Sequence, residues 1–139
     1  MAQTGTGGGA TEPAAAAGPV CVLLVEDEPM VRESIREHLE RRNYRCLEAA
    51  SGVEALRILQ NQSPDVIVSD IAMPGMNGIE FLIKSRALGC QLPAILLTAV
   101  NDTSVLVLGR EAGAFCCLPK PPNYLELDRM IQRGLNLSR

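Results

Sequence analysis

The sequence predicts an α/β fold: a single doubly wound (βα)5 domain in which a parallel five-stranded sheet carries helices on both faces. Three observations indicate this fold. Five short apolar runs are spaced along the chain, and a stretch with helical periodicity follows each of them. This alternation favours parallel strands joined by crossover helices. The length of 139 residues also suits one domain.

The first half of the chain contains two strand–helix units. Residues 21–25 (Cys-Val-Leu-Leu-Val) are uniformly apolar, which is typical of a strand buried on both faces. Pro29 suits the first turn of a helix. The apolar stripe of that helix is Val31, Ile35 and Leu39. Residues 44–47 predict a short second strand, and Ser51-x-x-Glu54 predicts a capping box that opens the second helix.

The second half repeats the alternation three times. Apolar runs at 66–68, 94–97 and 115–118 predict strands three, four and five. Helices are expected after each run, the fourth over about 103–112. The residues expected to face the core from the third and fifth helices are Ile79, Leu82, Ile83, Leu127, Ile131 and Leu135. Asn123-x-x-Glu126 is the N-terminal signal of the last helix.

Composition excludes several functional classes. A net charge of −3, with only two Tyr, two Phe and no Trp, argues against binding of nucleic acid. No apolar run reaches about 18 residues, and the N-terminus lacks the pattern of a secretory signal, so we expect no membrane contact and a cytoplasmic location. Residues 1–19 are rich in Gly, Ala, Thr and Pro and are expected to form a disordered tail before a domain at 20–139. The five cysteines, with no C-x-x-C pair and mostly apolar neighbours, favour buried, reduced thiols over disulfides or a zinc site.

Polar residues follow the predicted strands where each strand ends. Glu26 and Asp27 follow the first strand, Asp70 the third, Thr98 the fourth and Lys120 the fifth. Ligands bind at the carboxyl ends of the strands in open parallel sheets, so these side chains are expected to converge. Clustered carboxylates repel one another unless a cation neutralises them, and oxygen ligands favour Mg²⁺. A lysine and a hydroxyl beside such a cation suit a phosphoryl group, with a carboxylate as its nucleophile.

With these motifs in place, the chain from about residue 20 to 137 resembles the receiver domain of two-component response regulators, the chemotaxis-type, flavodoxin-like receivers. Four motifs carry the resemblance, in the expected order and each at a strand end. They are Leu-Val-Glu-Asp-Glu-Pro at 24–29, Asp-Val-Ile-Val-Ser-Asp-Ile-Ala-Met-Pro-Gly-Met-Asn-Gly at 65–78, Leu-Leu-Thr-Ala at 96–99 and Pro-Lys-Pro at 119–121. The resemblance implies the strand order 2-1-3-4-5.

The resemblance also implies roles for single residues. Asp70 corresponds to the phosphoacceptor that forms an aspartyl phosphate. Asp70, Asp27 and the backbone carbonyl of Ala72 would bind Mg²⁺ directly, and Glu26 would bind it through water. Thr98 would move toward the phosphoryl group, and Lys120 would pair with its oxygens. The peptide bond before Pro121 is expected to be cis.

The implied function is that of a signalling receiver, not of an enzyme acting on other substrates. The domain would take its phosphoryl group from a histidine kinase or a histidine phosphotransfer protein, and would catalyse only this transfer and its own slow dephosphorylation. Phosphorylation would change a face built from the fourth helix, the fifth strand and the fifth helix, where a second copy of the domain or a downstream effector binds. The resemblance leaves the cognate kinase and the output open.

The sequence departs from the family pattern at three places. Cys117 occupies the switch position, three residues before Lys120, where the family usually has Tyr or Phe. The fourth helix holds four consecutive apolar residues at 105–108, of which some are expected to face solvent. Ala72 and Val100, expected to flank the phosphoryl group, are both apolar.

Two other functions remain open at this point. A pseudo-receiver would bind partners without phosphorylation, and Cys117 is the one feature that favours it. A metal-dependent phosphatase with an aspartate nucleophile would need a second acid two residues after Asp70, where Ala72 stands. The set Glu26, Asp27, Asp70, Thr98 and Lys120 favours the receiver.

Overall fold

The computed structural model describes residues 18–99 and 102–137. Five strands alternate with five helices along the chain, as the sequence predicts. They are β1 (Cys21–Val25), α1 (Pro29–Arg41), β2 (Arg45–Ala49), α2 (Gly52–Asn61), β3 (Val66–Asp70), α3 (Gly78–Ala87), β4 (Ala94–Thr98), α4 (Thr103–Glu111), β5 (Cys116–Pro119) and α5 (Tyr124–Leu137). Residues 1–17 of the predicted disordered tail, and Val100, lie outside the described residues.

The five strands form one parallel sheet in the order β2-β1-β3-β4-β5, which confirms the predicted fold class. Val25 pairs with Ala49 on one side and Ser69 on the other, and Thr98 pairs with Pro119. Because parallel strands in this register end at nearly the same height, the residues that follow them meet at one end of the sheet. We call this the carboxyl end, and the opposite one the amino end.

Each face of the sheet has its own core. The strands β1, β3 and β4 are buried throughout, because helices cover both faces and alternate side chains point to opposite sides. Helices α1 and α5 cover one face through Ile35, Leu39, Leu127, Ile131 and Leu135. Helices α2, α3 and α4 cover the other face through Ala55, Phe81, Leu82 and Ala112, the last of which directly follows α4.

Side-chain caps begin α2 and α5 at the predicted places. The Ser51 side chain accepts a hydrogen bond from the Glu54 amide, but the Glu54 carboxylate reaches the amide of Ala50 instead of Ser51, so the predicted capping box is incomplete. The Asn123 side chain accepts from the amide of Glu126. These bonds satisfy amide groups that have no partner inside the helix.

The structure corrects three details of the sequence analysis. The second strand runs over Arg45–Ala49, later than predicted. Ile83 is 53% exposed, because α3 turns Phe81 and Leu82 toward the sheet and Ile83 lies on the opposite side of the helix. All five cysteines are free, as expected, but only Cys21 is fully buried.

Helix α4 is weakly buried. Val107 and Leu108 are 48% and 52% exposed, which confirms that part of the apolar run faces solvent. The one fully buried residue of this helix is Gly109. A Cβ atom at Gly109 would lie 2.9 Å from the sulfur of Cys117 and 3.2 Å from a methyl carbon of Leu96, so the glycine lets α4 pack close to the sheet.

Candidate functional site

Three carboxylates meet at the carboxyl end of the sheet, and we call them the acidic triad. Glu26 and Asp27 follow β1, and Asp70 ends β3. Their oxygen atoms lie within 4.8 Å of one another, although Glu26 and Asp70 are only 1% and 4% exposed. Three negative charges at this distance repel strongly inside a protein. The triad could therefore hold a divalent cation.

Lys120 is the cation that the chain itself supplies to the triad. Its Nζ atom lies 2.8 Å from Oδ2 of Asp70 and 2.9 Å from Oε1 of Glu26. The Lys120 amide donates to the carbonyl of Thr98 at 2.8 Å, and the peptide bond to Pro121 is cis. Burial alone would lower the pKa of Lys120, but its hydrogen bonds and attraction to Asp70 and Glu26 raise it above the ordinary value.

Glu26 is held by contacts on both oxygens of its side chain. Lys120 donates to Oε1, and the amide of Glu28 donates to Oε2 at 3.1 Å. Burial raises the pKa of Glu26, and the charge of Asp70 adds to this effect, while the two hydrogen bonds oppose it. A buried carboxylate with an acidic neighbour is thus a costly arrangement in the absence of a further cation.

Two residues hold the backbone of the triad in place, and the sequence analysis did not assign this role to either of them. The amide of Gly78 donates to the Ile71 carbonyl at 2.8 Å, and a Cβ at Gly78 would overlap the carbonyl oxygen of Asp70. Only glycine therefore allows α3 to begin this close to the end of β3. Arg32 donates to the carbonyl of Glu26 at 2.8 Å. The helical pattern of α1 gives no sign of this contact.

The remaining predicted site residues are Thr98, Ala72 and Cys117, and they lie in different places. Thr98 is buried at the end of β4, and the exposed Ala72 lines a groove of about 700 Å³ together with Asp27, Asp70 and Lys120. Cys117 is not part of the lining of this groove; its thiol faces Gly109 of α4 instead. The structure thus brings the triad, Lys120 and Ala72 together, and leaves Cys117 at the contact between α4 and β5.

The sheet order and the acidic site at its carboxyl end are those expected of a receiver domain, a class of signalling domain. The family model of the response regulator receiver domain matches residues 22–132. The chain therefore belongs to the response regulator receiver domain family, and it is a receiver domain of two-component response regulators.

Two regulatory proteins that are similar in sequence to the chain support this assignment. The chain is 43% identical over 121 residues to the response regulator MprA of Mycobacterium sp. (strain KMS), covering 87% of this chain and 51% of the relative. It is 40% identical over 114 residues to the transcriptional regulatory protein AfsQ1 of Streptomyces coelicolor, covering 82% of this chain and 50% of that protein. The chain thus spans about half the length of these relatives.

Solved structures share the fold. The chemotaxis protein CheY4 of Vibrio cholerae superposes with a TM-score of 0.80 at 33% identity, over 85% of this chain and 100% of that one. As a member of the response regulator receiver family, this chain is a signalling domain. Among the helices that the structure describes, none is long and apolar enough to cross a bilayer.

Proposed function

We propose that the domain accepts a phosphoryl group on Asp70. The observation that carries this proposal is the Lys120 ammonium group, which contacts Asp70 and Glu26 inside the acidic triad. A carboxylate oxygen of Asp70 attacks the phosphorus atom of a phosphohistidine, so that a P–O bond forms. The P–N bond breaks, and its electron pair stays on the imidazole nitrogen, which takes up a proton. Asp70 is 4% exposed, which limits water around the new bond.

The residues of the triad fit a Mg²⁺ ion. Carboxylate and carbonyl oxygens are the donors that this hard cation prefers, and the triad has an excess of negative charge for it to balance. Glu26, Asp27, Asp70 and the backbone carbonyl of Ala72 would hold the ion. When bound, Mg²⁺ neutralises charge on the phosphoryl oxygens during transfer.

Lys120 and Thr98 stabilise the phosphorylated state in this proposal. Lys120 has a raised pKa and stays cationic. It is therefore able to pair with a phosphoryl oxygen once phosphorylation has removed the carboxylate charge of Asp70. Thr98 lies at the end of β4, next to Pro119 in register, and its hydroxyl would donate to a second phosphoryl oxygen. Movement of Thr98 would then be passed to α4.

The phosphoryl donor would be a histidine kinase or a histidine phosphotransfer protein in the cytoplasm. Apolar side chains line the groove beside Asp70, and Met30 among them is 84% exposed. A protein surface that brings a phosphohistidine to Asp70 would cover these residues. The output partner, a second copy or an effector, would bind the face of α4, β5 and α5, where Val107 and Leu108 are exposed.

Mass spectrometry of the intact protein tests this function. With a small phosphodonor such as acetyl phosphate and Mg²⁺, the wild type is expected to gain one phosphoryl group, and Asp70→Asn to gain none. Asp65→Asn is the matched control, because Asp65 accepts a hydrogen bond from the Cys21 amide at the amino end of the sheet. Equal labelling of wild type and Asp70→Asn would refute the assignment. No labelling of the wild type would favour a pseudo-receiver.

A further inference from the structure

We infer that Arg32 is a positioning residue for the cation site, an inference that rests on the proposed function. Its guanidinium group makes two contacts through different nitrogen atoms. Nη1 donates to the carbonyl oxygen of Glu26 at 2.8 Å, and Nε pairs with Glu48 of β2 at 3.2 Å. The side chain is only 20% exposed, so the guanidinium lies against the protein and not in open solvent.

The carbonyl that Arg32 holds belongs to the peptide group joining Glu26 to Asp27. The amide on the other side of Glu26 donates to the Ala49 carbonyl at 3.0 Å, which fixes the chain to β2. Arg32 fixes the next peptide group. If that group were free to rotate, the Asp27 amide would rotate with it. The Asp27 carboxylate would then no longer be held close to Asp70. Arg32 thus orients two members of the triad without contacting a carboxylate of the triad.

Glu48 keeps Arg32 in place. The N–H donors of an arginine side chain form a rigid, planar fork, so one guanidinium group can donate to a carbonyl and to a carboxylate at the same time. Glu48 also pairs with Nε of Arg36, at 3.3 Å, one turn further along α1. Arg36 binds Glu40 as well, at 2.9 Å. The two arginines therefore share Glu48, but of the two only Arg32 donates to the Glu26 carbonyl.

This difference makes Arg36 a matched control for Arg32. Removal of either arginine deletes one positive charge from α1 and one ion pair with Glu48. Both deletions favour cation binding slightly, and this effect is small because the lost charge is paired and partly exposed. Only the loss of Arg32 frees the peptide between Glu26 and Asp27. A difference between the two variants therefore measures orientation and not charge.

Isothermal titration calorimetry with Mg²⁺ tests the inference, since the chain has no Trp for fluorescence. Loss of a hydrogen bond that orients the ligands of a metal site weakens metal affinity by about tenfold or more. We therefore expect Arg32→Ala to raise the Mg²⁺ Kd by about tenfold. Arg36→Ala is expected to stay within about twofold of wild type. Arg32→Lys keeps the charge but not the fork, so its Kd is expected to fall between those of wild type and Arg32→Ala.

A readout without metal separates positioning from a general loss of structure. In the metal-free protein, the amide resonance of Asp27 is expected to shift in Arg32→Ala and to stay in place in Arg36→Ala. Wild-type Kd values in both Arg32 variants, or equal changes in Arg32→Ala and Arg36→Ala, would overturn the inference. A wild type that binds no Mg²⁺ and takes up no phosphoryl group would instead refute the proposed function, and the inference with it.

Discussion

The two ends of the sheet each carry a cluster of polar side chains, and the clusters differ in their burial and in their balance of charge. At the amino end, Tyr44 precedes β2 and its hydroxyl donates to Asp128 of α5. Gln132 donates to the same hydroxyl at 2.8 Å, and Arg42 pairs with Asp128 at 3.5 Å. One carboxylate there meets an arginine and a hydroxyl donor, so the cluster is electrically balanced.

The carboxyl end is not balanced. The ammonium group of Lys120 pairs with two of the three carboxylates of the triad, those of Glu26 and Asp70. The second cation nearby, Arg32, contacts a carbonyl and is paired with Glu48. A balanced polar network stabilises the fold by itself, whereas unpaired buried charge costs stability unless a ligand compensates it. The imbalance of charge therefore marks the carboxyl end, and not the amino end, as the candidate binding site.

The largest expected effect follows from removing the lysine of the carboxyl end. Lys120→Met leaves Glu26 and Asp70 without their cation, and loss of one partner of a buried pair costs about 3 kcal/mol or more of stability. Urea unfolding of the metal-free protein measures this loss. Lys84→Met is the control, because Lys84 is exposed on α3 and is expected to change stability by less than about 0.5 kcal/mol. Equal stability of the two variants would contradict the charge argument.

Added metal is the second way to probe the difference between the two ends. Mg²⁺ at about one hundred times its Kd is expected to add about 2.7 kcal/mol to the stability of the wild type, because it binds only the folded chain. Thermal unfolding with Mg²⁺ and with a chelator measures the increment. Asp27→Asn is expected to lose most of it, and Tyr44→Phe at the amino end to keep all of it. An equal increment in Asp27→Asn and wild type would place the ion elsewhere.

A change at the amino end should affect stability but not phosphorylation. Tyr44→Phe deletes a partly buried hydrogen bond to a carboxylate, at a cost of about 1.5 kcal/mol. Burial and the bond to Asp128 raise the pKa of Tyr44 to about 12. The unfolded chain loses this proton near pH 10, about two units earlier, so wild-type stability due to this group is complete below pH 10 and falls between pH 10 and 12.

Urea unfolding at pH 8 and pH 11 tests the sign of this effect. The difference in unfolding free energy between wild type and Tyr44→Phe is expected to shrink at pH 11, because the variant has no phenol to ionise. Phosphorylation by acetyl phosphate at pH 8 serves as the control and is expected to be the same in both proteins. A difference that grows with pH would show that Tyr44 is not held neutral by the fold.

The smallest expected effect is at Cys117, which belongs to neither cluster. Cys117→Ala removes one sulfur atom that packs on Gly109, at a cost of about 1 kcal/mol. If α4 is moved by Thr98, this variant should keep the response to beryllofluoride, a phosphoryl mimic, and Thr98→Ala should lose it. Hydrogen exchange of amides at 102–110 measures the response. The opposite result would make the thiol itself the switch.

The sequence alone determined the order of the elements and the residues at the strand ends. Apolar runs and helical stripes are local patterns, so β1, β3, β4 and β5 and the stripe Leu127–Ile131–Leu135 could be predicted closely. The convergence of Glu26, Asp27, Asp70 and Lys120 follows from parallel topology, because every strand of such a sheet ends on the same side.

Only the tertiary structure decided which side chains touch. Lys120 and Glu26 are 94 residues apart in the sequence, and Tyr44 and Asp128 are 84 apart. No local sequence pattern predicts either hydrogen bond. Arg32 has the ordinary spacing of a polar residue on a helix, yet it reaches back to the Glu26 carbonyl because α1 begins directly after the acidic pair. Ile83 has an apolar side chain but faces solvent, since the packing of α3 on the sheet fixes which side of the helix is buried. Contacts of this kind depend on the final distances between packed elements, which sequence periodicity does not specify.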